Sequence, residues 1–320
     1  MRVLVTGMGG ELGTRVAQLL EEREEFTRIA GVDFVPPRRR LHRSTFNRID
    51  PRDRERLVDF VTDLAPQAVA HVGVYEPDAR SGPRASAELT EASALAALGA
   101  AARTGELERI ALRSSIDVYG RGRGHADVPD ETIPPEPQTH FGAECLAVEV
   151  QAAGLGRRHG VPVAQVRLAP VVGSHVPSPL GRLFRLPVVP VPATDDPPFT
   201  MVHPEDAARA IVAALLAGYD GALNVVGTGA ASPWQVARLG NRVPFPVTGP
   251  GWRVAARVAE LAGAPVPNHV IDLLRRGRAA DGTRALAELD LPRPRPVQQI
   301  CSELYEWATV TALRPTRAVA

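Results

Sequence analysis

Residues 6–13 read TGMGGELG, directly after the apolar run of residues 2–5 and at the head of a helically spaced series, Leu12, Val16, Leu19 and Leu20. A buried strand, a glycine turn and a helix in immediate succession leave few options for the fold. Glycine permits positive φ and close approach of backbone to backbone. The helix that follows points unpaired N–H groups and the positive end of its dipole at whatever sits above the strand. This is the opening of a parallel crossover unit, with an anion-binding turn at the carboxyl end of its first strand. Gly7, Gly10 and Gly13 are spaced three and three. That is not G-x-G-x-x-G, because Leu12 fills a slot that pattern gives to glycine. The competing reading is a glycine-rich turn with no ligand.

The same alternation continues along the chain. Residues 28–34, 68–76, 109–120, 161–173 and 221–227 read as strands. Residues 85–102, 139–160 and 203–218 read as helices, the last with Pro204 in its first turn, Glu205 and Asp206 against the dipole, and Gly218 as its stop. Strands alternating with helices predict an α/β, doubly wound parallel sheet with helices on both faces. After Gly173 the texture changes, and the Pro-rich stretch 174–200 reads as irregular. We expect a nucleotide-binding domain over 1–173 and a smaller substrate-binding subdomain over 174–320, with 203–227 packing back on the first. Residues 250–276 read as two helices and 300–308 as an amphipathic tail.

Composition narrows the function. The formal net charge of the 320 residues is +1, so no global basic field argues for nucleic acid. All the positive side chains are arginine, with no lysine anywhere, so no amine is at hand for a Schiff base or for depressing a neighbour's pKa. Two cysteines, Cys145 and Cys301, do not make a metal-ligand spacing. No apolar run reaches the ~18 residues of a membrane span, and the first residues enter a strand with no leader pattern. The expectation is a cytoplasmic protein with no metal and no membrane or nucleic-acid partner.

Asp33 closes the second strand. A carboxylate there accepts hydrogen bonds from an adenosine ribose diol and repels a 2′-phosphate, which favours NAD. The basic segment RRRLHR (38–43) is the competing signal, for NADP.

TGMGGELG, Asp33, SSIDVYG (114–120), RLAPVVG (167–173), MVHPEDAARAI (201–211), ALNVVG (222–227) and DGTRALAELDL (281–291) stand in an order that resembles the extended short-chain dehydrogenase/reductases, the NAD-dependent epimerases and dehydratases. The resemblance runs over nearly the whole chain. It implies a Rossmann-type domain, a tightly held cofactor and a homodimer. Gly7, Gly10 and Gly13 then match the pyrophosphate turn, with Glu11 and Leu12 supplying N–H groups. Asp33 matches the ribose ligand and Asp50 the aspartate that holds the adenine amine. His71 and Val72, Gly73 and Val74 match the strand beneath the cofactor ribose, Ser114 borders the cofactor, and Ser115 matches the catalytic Ser/Thr.

The family's catalytic Tyr-x-x-x-Lys pair falls on Phe141 and Cys145, with Glu149 following at the family's distance. The i, i+4 spacing puts both on one helical face beside the cofactor. In the family the phenol carries the substrate hydroxyl proton while hydride moves to or from nicotinamide, and the lysine depresses the phenol's pKa. Phenylalanine has no exchangeable proton, and cysteine supplies no cation. No Tyr or Lys lies in 139–160. The candidates to replace the relay are Asp117, two residues past Ser115 on the same face of an extended segment, and His140. Tyr75, Tyr119 and His175 lie in segments that the family places near the cleft.

Arg182 and Arg185 are candidates to pair with a phosphate or carboxylate; the helix start from His203 to Asp206 reads as structural. Two functions stay open. One is an NAD-dependent oxidoreductase or epimerase acting on a small molecule such as a sugar or sugar nucleotide, with Ser115 on the substrate oxygen and Asp117 moving the proton. The other is a nucleotide-binding protein without turnover, a redox sensor or a scaffold.

Overall fold

The computed structural model describes residues 1–77, 82–122, 124–174 and 176–306. In chain order the elements are β1 (Arg2–Thr6), α1 (Glu11–Glu21), β2 (Arg28–Asp33), β3 (Ser44–Arg48), α2 (Arg54–Leu64), β4 (Ala68–His71), α3 (Pro83–Arg103), β5 (Arg109–Ser115), α4 (His140–His159), β6 (Val163–Leu168), α5 (Pro179–Phe184), β7 (Val188–Pro192), α6 (Pro204–Ala217), β8 (Gly221–Val225), α7 (Pro233–Leu239), β9 (Val243–Val247), α8 (Gly251–Leu261), α9 (Asn268–Arg276), α10 (Thr283–Glu288) and α11 (Val297–Tyr305).

Seven strands form one sheet in the order β3-β2-β1-β4-β5-β6-β8, every pair parallel. Its strands are near-continuous apolar runs because both faces are covered. Val3 and Val5 point to one face with Val16 and Leu20 of α1 and Ile211 of α6. Leu4, Val69 and Leu112 point to the other with Val61 of α2, Ala97 of α3 and Val148 of α4. The chain leaves β1 in both directions, so the order reverses between β1 and β4. That reversal opens a crevice at the carboxyl ends of the strands, where α/β sheets of this kind bind ligands. Helix α6 lies beside α1, and β8 extends the sheet past β6.

Three strand expectations overreach. The fourth strand in sheet order, β4, stops at His71, and Val72 to Glu76 continue as irregular chain lining the crevice. Strand β5 stops at Ser115 because its hydroxyl accepts the N–H of Asp117 and starts a turn of 3₁₀ helix over Ile116–Val118. Asp117 therefore does not sit on an extended segment; the capping bond is what brings it to Ser115. Strand β6 spans only Val163–Leu168, the core of the stretch 161–173.

The Pro-rich stretch 174–200 is not irregular throughout. It holds α5 and β7, and β7 pairs in parallel with β9 as a separate two-stranded ribbon. Ladder bonds run from the N–H groups of Ala193 and Val243, in odd register, while Pro190, Pro192, Pro244 and Pro246 occupy even positions whose missing N–H groups would point off the ribbon's edges. A third apolar core, built around Phe184, Phe199, Trp252, Leu274 and Ile300, joins the ribbon to α7, α8, α9 and α11. Among the described residues no helix is long and apolar enough to cross a membrane.

Candidate functional site

The glycine turn is fixed by contact, not by flexibility. Gly7 has φ +68°, and a Cβ there would lie 2.8 Å from the backbone of Gly73. A Cβ on Gly13 would lie 2.0 Å from the Gly7 carbonyl, so the helix can approach the turn only as glycine. Gly9, which the three-and-three spacing passes over, is as constrained: its Cβ would lie 1.9 Å from the Val35 carbonyl. Gly10 differs. It precedes α1 with no side-chain cap, and a Cβ there meets only the Gly7 carbonyl at 3.4 Å. The start of α1 thus faces the crevice with backbone N–H groups that no side chain caps. Leu12 turns into the core, and the Glu11 carboxylate is paired with Arg15 at 2.9 Å and Arg39 at 3.1 Å.

Asp33 sits beside this turn, 2% exposed. Its carboxylate accepts the N–H of Phe34 at 2.7 Å and of Gly9 at 3.0 Å, with the Tyr75 hydroxyl at 3.4 Å. Burial outweighs these bonds and pushes its pKa up to about 6. Asp50 is held instead by Arg52, whose guanidinium reaches it at 2.6 and 3.0 Å and lowers its pKa. Arg52, not Asp50, lines the crevice. In the segment 38–43, Arg39 is tied to Glu11 and Arg43 to the carbonyls of Glu21 and Phe26, which leaves Arg38 as its contribution to the lining.

Val72 and Val74 line the floor, and the Gly73 N–H donates to Thr6 Oγ1. His71 lies under them, fully buried against Thr6, and burial lowers its pKa to about 4, so it is neutral. This outer crevice has about 420 Å³ of free space. It adjoins an inner chamber with about 30 Å³ of free space, and Glu76, Arg113, Val171 and Ser178 line both.

The chamber holds Ser115. Its hydroxyl lies 3.2 Å from Asp117 Oδ2, and Asp117 Oδ1 lies 3.0 Å from Arg278 Nε, a charge contact without an aligned hydrogen bond. Arg278 continues to the Tyr119 carbonyl at 2.7 Å and to Asp272 at 2.9 Å. Both oxygens of Asp117 are therefore engaged, and the residue ties the end of β5 to the C-terminal part of the chain. The Ser114 hydroxyl is turned to Glu149, to which it donates at 2.6 Å. Glu149 forms a buried two-point pair with Arg167, which also donates to the Tyr119 hydroxyl. Tyr119 in turn donates to Asn224; its phenol belongs to the scaffold.

Phe141 and Cys145 are both buried on the face of α4 that meets the sheet. Burial pushes the Cys145 thiol well above its usual range, so it stays protonated and uncharged. His140 is on the opposite side, largely exposed and 3.0 Å from Glu144, outside the chamber. His175 lies outside the described residues. Arg185 donates to the carbonyls of Gly173 at 2.9 Å and Ser174 at 2.6 Å, bracing the chain rather than the crevice. Arg182 sits in the last turn of α5. His203 caps α6 and meets Glu303 at 3.0 Å, as its structural reading requires.

Three residues that no sequence motif singled out, Glu76, Arg113 and His269, complete the chamber. Arg113 donates to Glu76 at 2.8 Å and to the Val74 carbonyl at 3.0 Å. His269 of α9 stacks on the Phe141 ring, centroids 4.5 Å apart and planes 26° apart, with its Nε2 4.0 Å from Glu76 Oε2. A signal for Arg113 existed, since it breaks an apolar strand. Nothing local marks His269, which tertiary packing brings in.

Residues 3–226 match the NAD dependent epimerase/dehydratase family. An uncharacterized protein of Mycobacterium tuberculosis is 29% identical over 303 residues, covering 90% of this chain and 78% of that one. Among solved structures, UDP-glucose-4-epimerase from Stenotrophomonas maltophila, with bound NAD, superposes with a TM-score of 0.73 at 22% identity, covering 96% and 97% of the two chains. UDP-glucose 4-epimerase from Thermus thermophilus, in complex with NAD, gives 0.75 at 20% identity, covering 95% and 98%. UDP-glucose 4-epimerase from Thermotoga maritima, with UDP-glucose, gives 0.75 at 19% identity, covering 96% and 98%. With the glycine turn, the reversal of strand order above it and a match over residues 3–226, the chain belongs to the NAD dependent epimerase/dehydratase family.

Proposed function

We propose that this chain binds NAD in the outer crevice and transfers hydride to or from a polar small molecule, of the sugar or sugar-nucleotide class, whose reacting carbinol sits at the mouth of the inner chamber. The observation that carries the reading is the adjacency of the two spaces: the crevice holding Asp33 and the α1 N-terminus shares Glu76, Arg113, Val171 and Ser178 with the chamber holding Ser115. The residues fit the cofactor. The uncapped N–H groups of α1 suit a pyrophosphate, and a Cβ-free Gly10 leaves room for it. Asp33 suits a ribose diol and disfavours a 2′-phosphate, while Arg39 and Arg43 are already engaged. When bound, NAD supplies the hydride acceptor or donor. Ser115 borders the substrate oxygen, and Asp117, fixed by Arg278, accepts the Ser115 hydroxyl and sets its orientation. That NAD and UDP-glucose sit in neighbours of the same fold supports both classes of ligand.

A second reading, nucleotide binding without turnover, is supported by Phe141 and Cys145, which the sequence resemblance aligns with the family's proton relay and which are a buried aromatic ring and a buried neutral thiol. Denaturing the purified protein and identifying the released nucleotide by mass spectrometry tests the binding that both readings share. NAD is expected; recovery of NADP alone overturns the assignment of Asp33.

A further inference from the structure

We propose that His269 is the proton-transfer group of the inner chamber, taking the place of the missing phenol from a different element of the fold. The inference rests on the hydride-transfer reading above. His269 comes from α9, and its ring lies flat on Phe141, so the imidazole is one ring-stack away from the position at which α4 would otherwise carry the relay. It lines the same chamber as Ser115 and is only 8% exposed, so the ring is set in that chamber's wall and not in bulk water.

Its Nε2 and Glu76 Oε2 are 4.0 Å apart. That is too far for a direct hydrogen bond, so Glu76 leaves Nε2 open to a substrate hydroxyl while staying close enough to offset a charge on the ring. The charged groups around it are consistent with that role. Glu76 is held by Arg113, which keeps its carboxylate facing the imidazole from the loop after β4. Asp272, on the same helix as His269, is turned to Arg278 and Arg276, and Asp117 is engaged by Ser115 and Arg278.

In the oxidative direction NAD⁺, when bound, would accept the hydride of the substrate carbinol as its C–H bond breaks. The O–H bond breaks and its proton passes to His269 Nε2, and the C=O bond forms. The carboxylate of Glu76 offsets the imidazolium so produced. The reverse step returns the proton and the hydride. An imidazole can both take and return the proton, which Phe141 and the neutral Cys145 cannot.

The test uses the full chain labelled with ¹⁵N-histidine, with H269Q to assign the His269 ring signals and H140Q as the surface control. Added NAD⁺ is expected to move the His269 ring resonances, with a further change when UDP-glucose is added as the probe. H269Q should bind NAD⁺ within about 3-fold of the wild type, which also shows that it folds. With UDP-glucose, H269Q should form NADH at least about 100-fold more slowly, and H140Q at the wild-type rate. His269 signals unmoved by bound NAD⁺, or an H269Q rate equal to that of the wild type, overturn the proposal. So does a wild type that binds both compounds and forms no NADH. Failure of the wild type to bind NAD⁺ at all overturns the underlying reading of the crevice, and the proposal with it.

Discussion

Asp33 offers a quantitative handle on the cofactor. Its carboxylate is buried beside the glycine turn and its pKa stands at about 6 against an ordinary 3.8. In the free protein the raised value means that folding favours the protonated form. The stabilisation is present below pH 4 and disappears as pH rises through about 6, a difference of at most about 3 kcal/mol. Cofactor binding runs the other way, because a diol donates to the ionised carboxylate. If only that form binds, the apparent Kd for NAD⁺ rises about 10-fold between pH 7 and pH 5 and is nearly flat above pH 7. Calorimetric titrations at several pH values, in buffers of different ionisation enthalpy, read both the affinity and the proton released. Asp33→Asn should weaken binding at pH 7 by about 10- to 100-fold, the worth of hydrogen bonds to a charged group, and should flatten the pH profile. A wild-type affinity that is constant from pH 5 to pH 8, or an Asp33→Asn profile as steep as the wild type's, refutes the reasoning.

The steric account of the turn predicts opposite outcomes at two neighbouring glycines. Gly13→Ala, whose Cβ would collide with the Gly7 carbonyl, should lower the thermal midpoint and abolish NAD⁺ binding, whereas Gly10→Ala should keep the fold and weaken only the binding; equal midpoints for the two variants would contradict it. Arg278→Met strands the buried Asp117 carboxylate and should cost about 3–5 kcal/mol in urea denaturation, with part recovered in the Asp117→Asn double variant. A loss below about 1 kcal/mol would show the contact to be weakly coupled. Cys145 and Cys301 are both buried with raised thiol pKa values, so a thiol reagent should titrate neither in the native protein and both after unfolding. Rapid labelling of native Cys145 would count against its place in the core.

Local sequence carried much of the architecture. Gly7 and Gly13 announce the turn because the contacts that exclude a side chain recur wherever a helix follows a first strand this closely. The apolar runs of β1, β2 and β5 announce a sheet buried on both faces. What stayed hidden has identifiable causes. Strand β5 ends early because a serine hydroxyl captures an N–H, an interaction with no periodic signature. The β7–β9 ribbon was invisible because prolines usually argue against strands, and only the pairing register shows that they sit where no donor is needed. The site divides in the same way. Phe141 and Cys145 could be read as a lost relay, but His269, far along the chain on α9, is brought to Phe141 only by the docking of that helix. Arg278, distant in sequence, pairs with Asp117, which local sequence leaves looking like a free carboxylate.

The crevice at the strand-order reversal, read as an NAD site, has Asp33 as its discriminator. Calorimetric titration of the purified protein with NAD⁺ and, separately, NADP⁺ at about pH 7 tests it most directly. A single site that takes NAD⁺ at least about tenfold more tightly than NADP⁺ is expected. Tighter binding of NADP⁺, or no binding of either nucleotide, would contradict it.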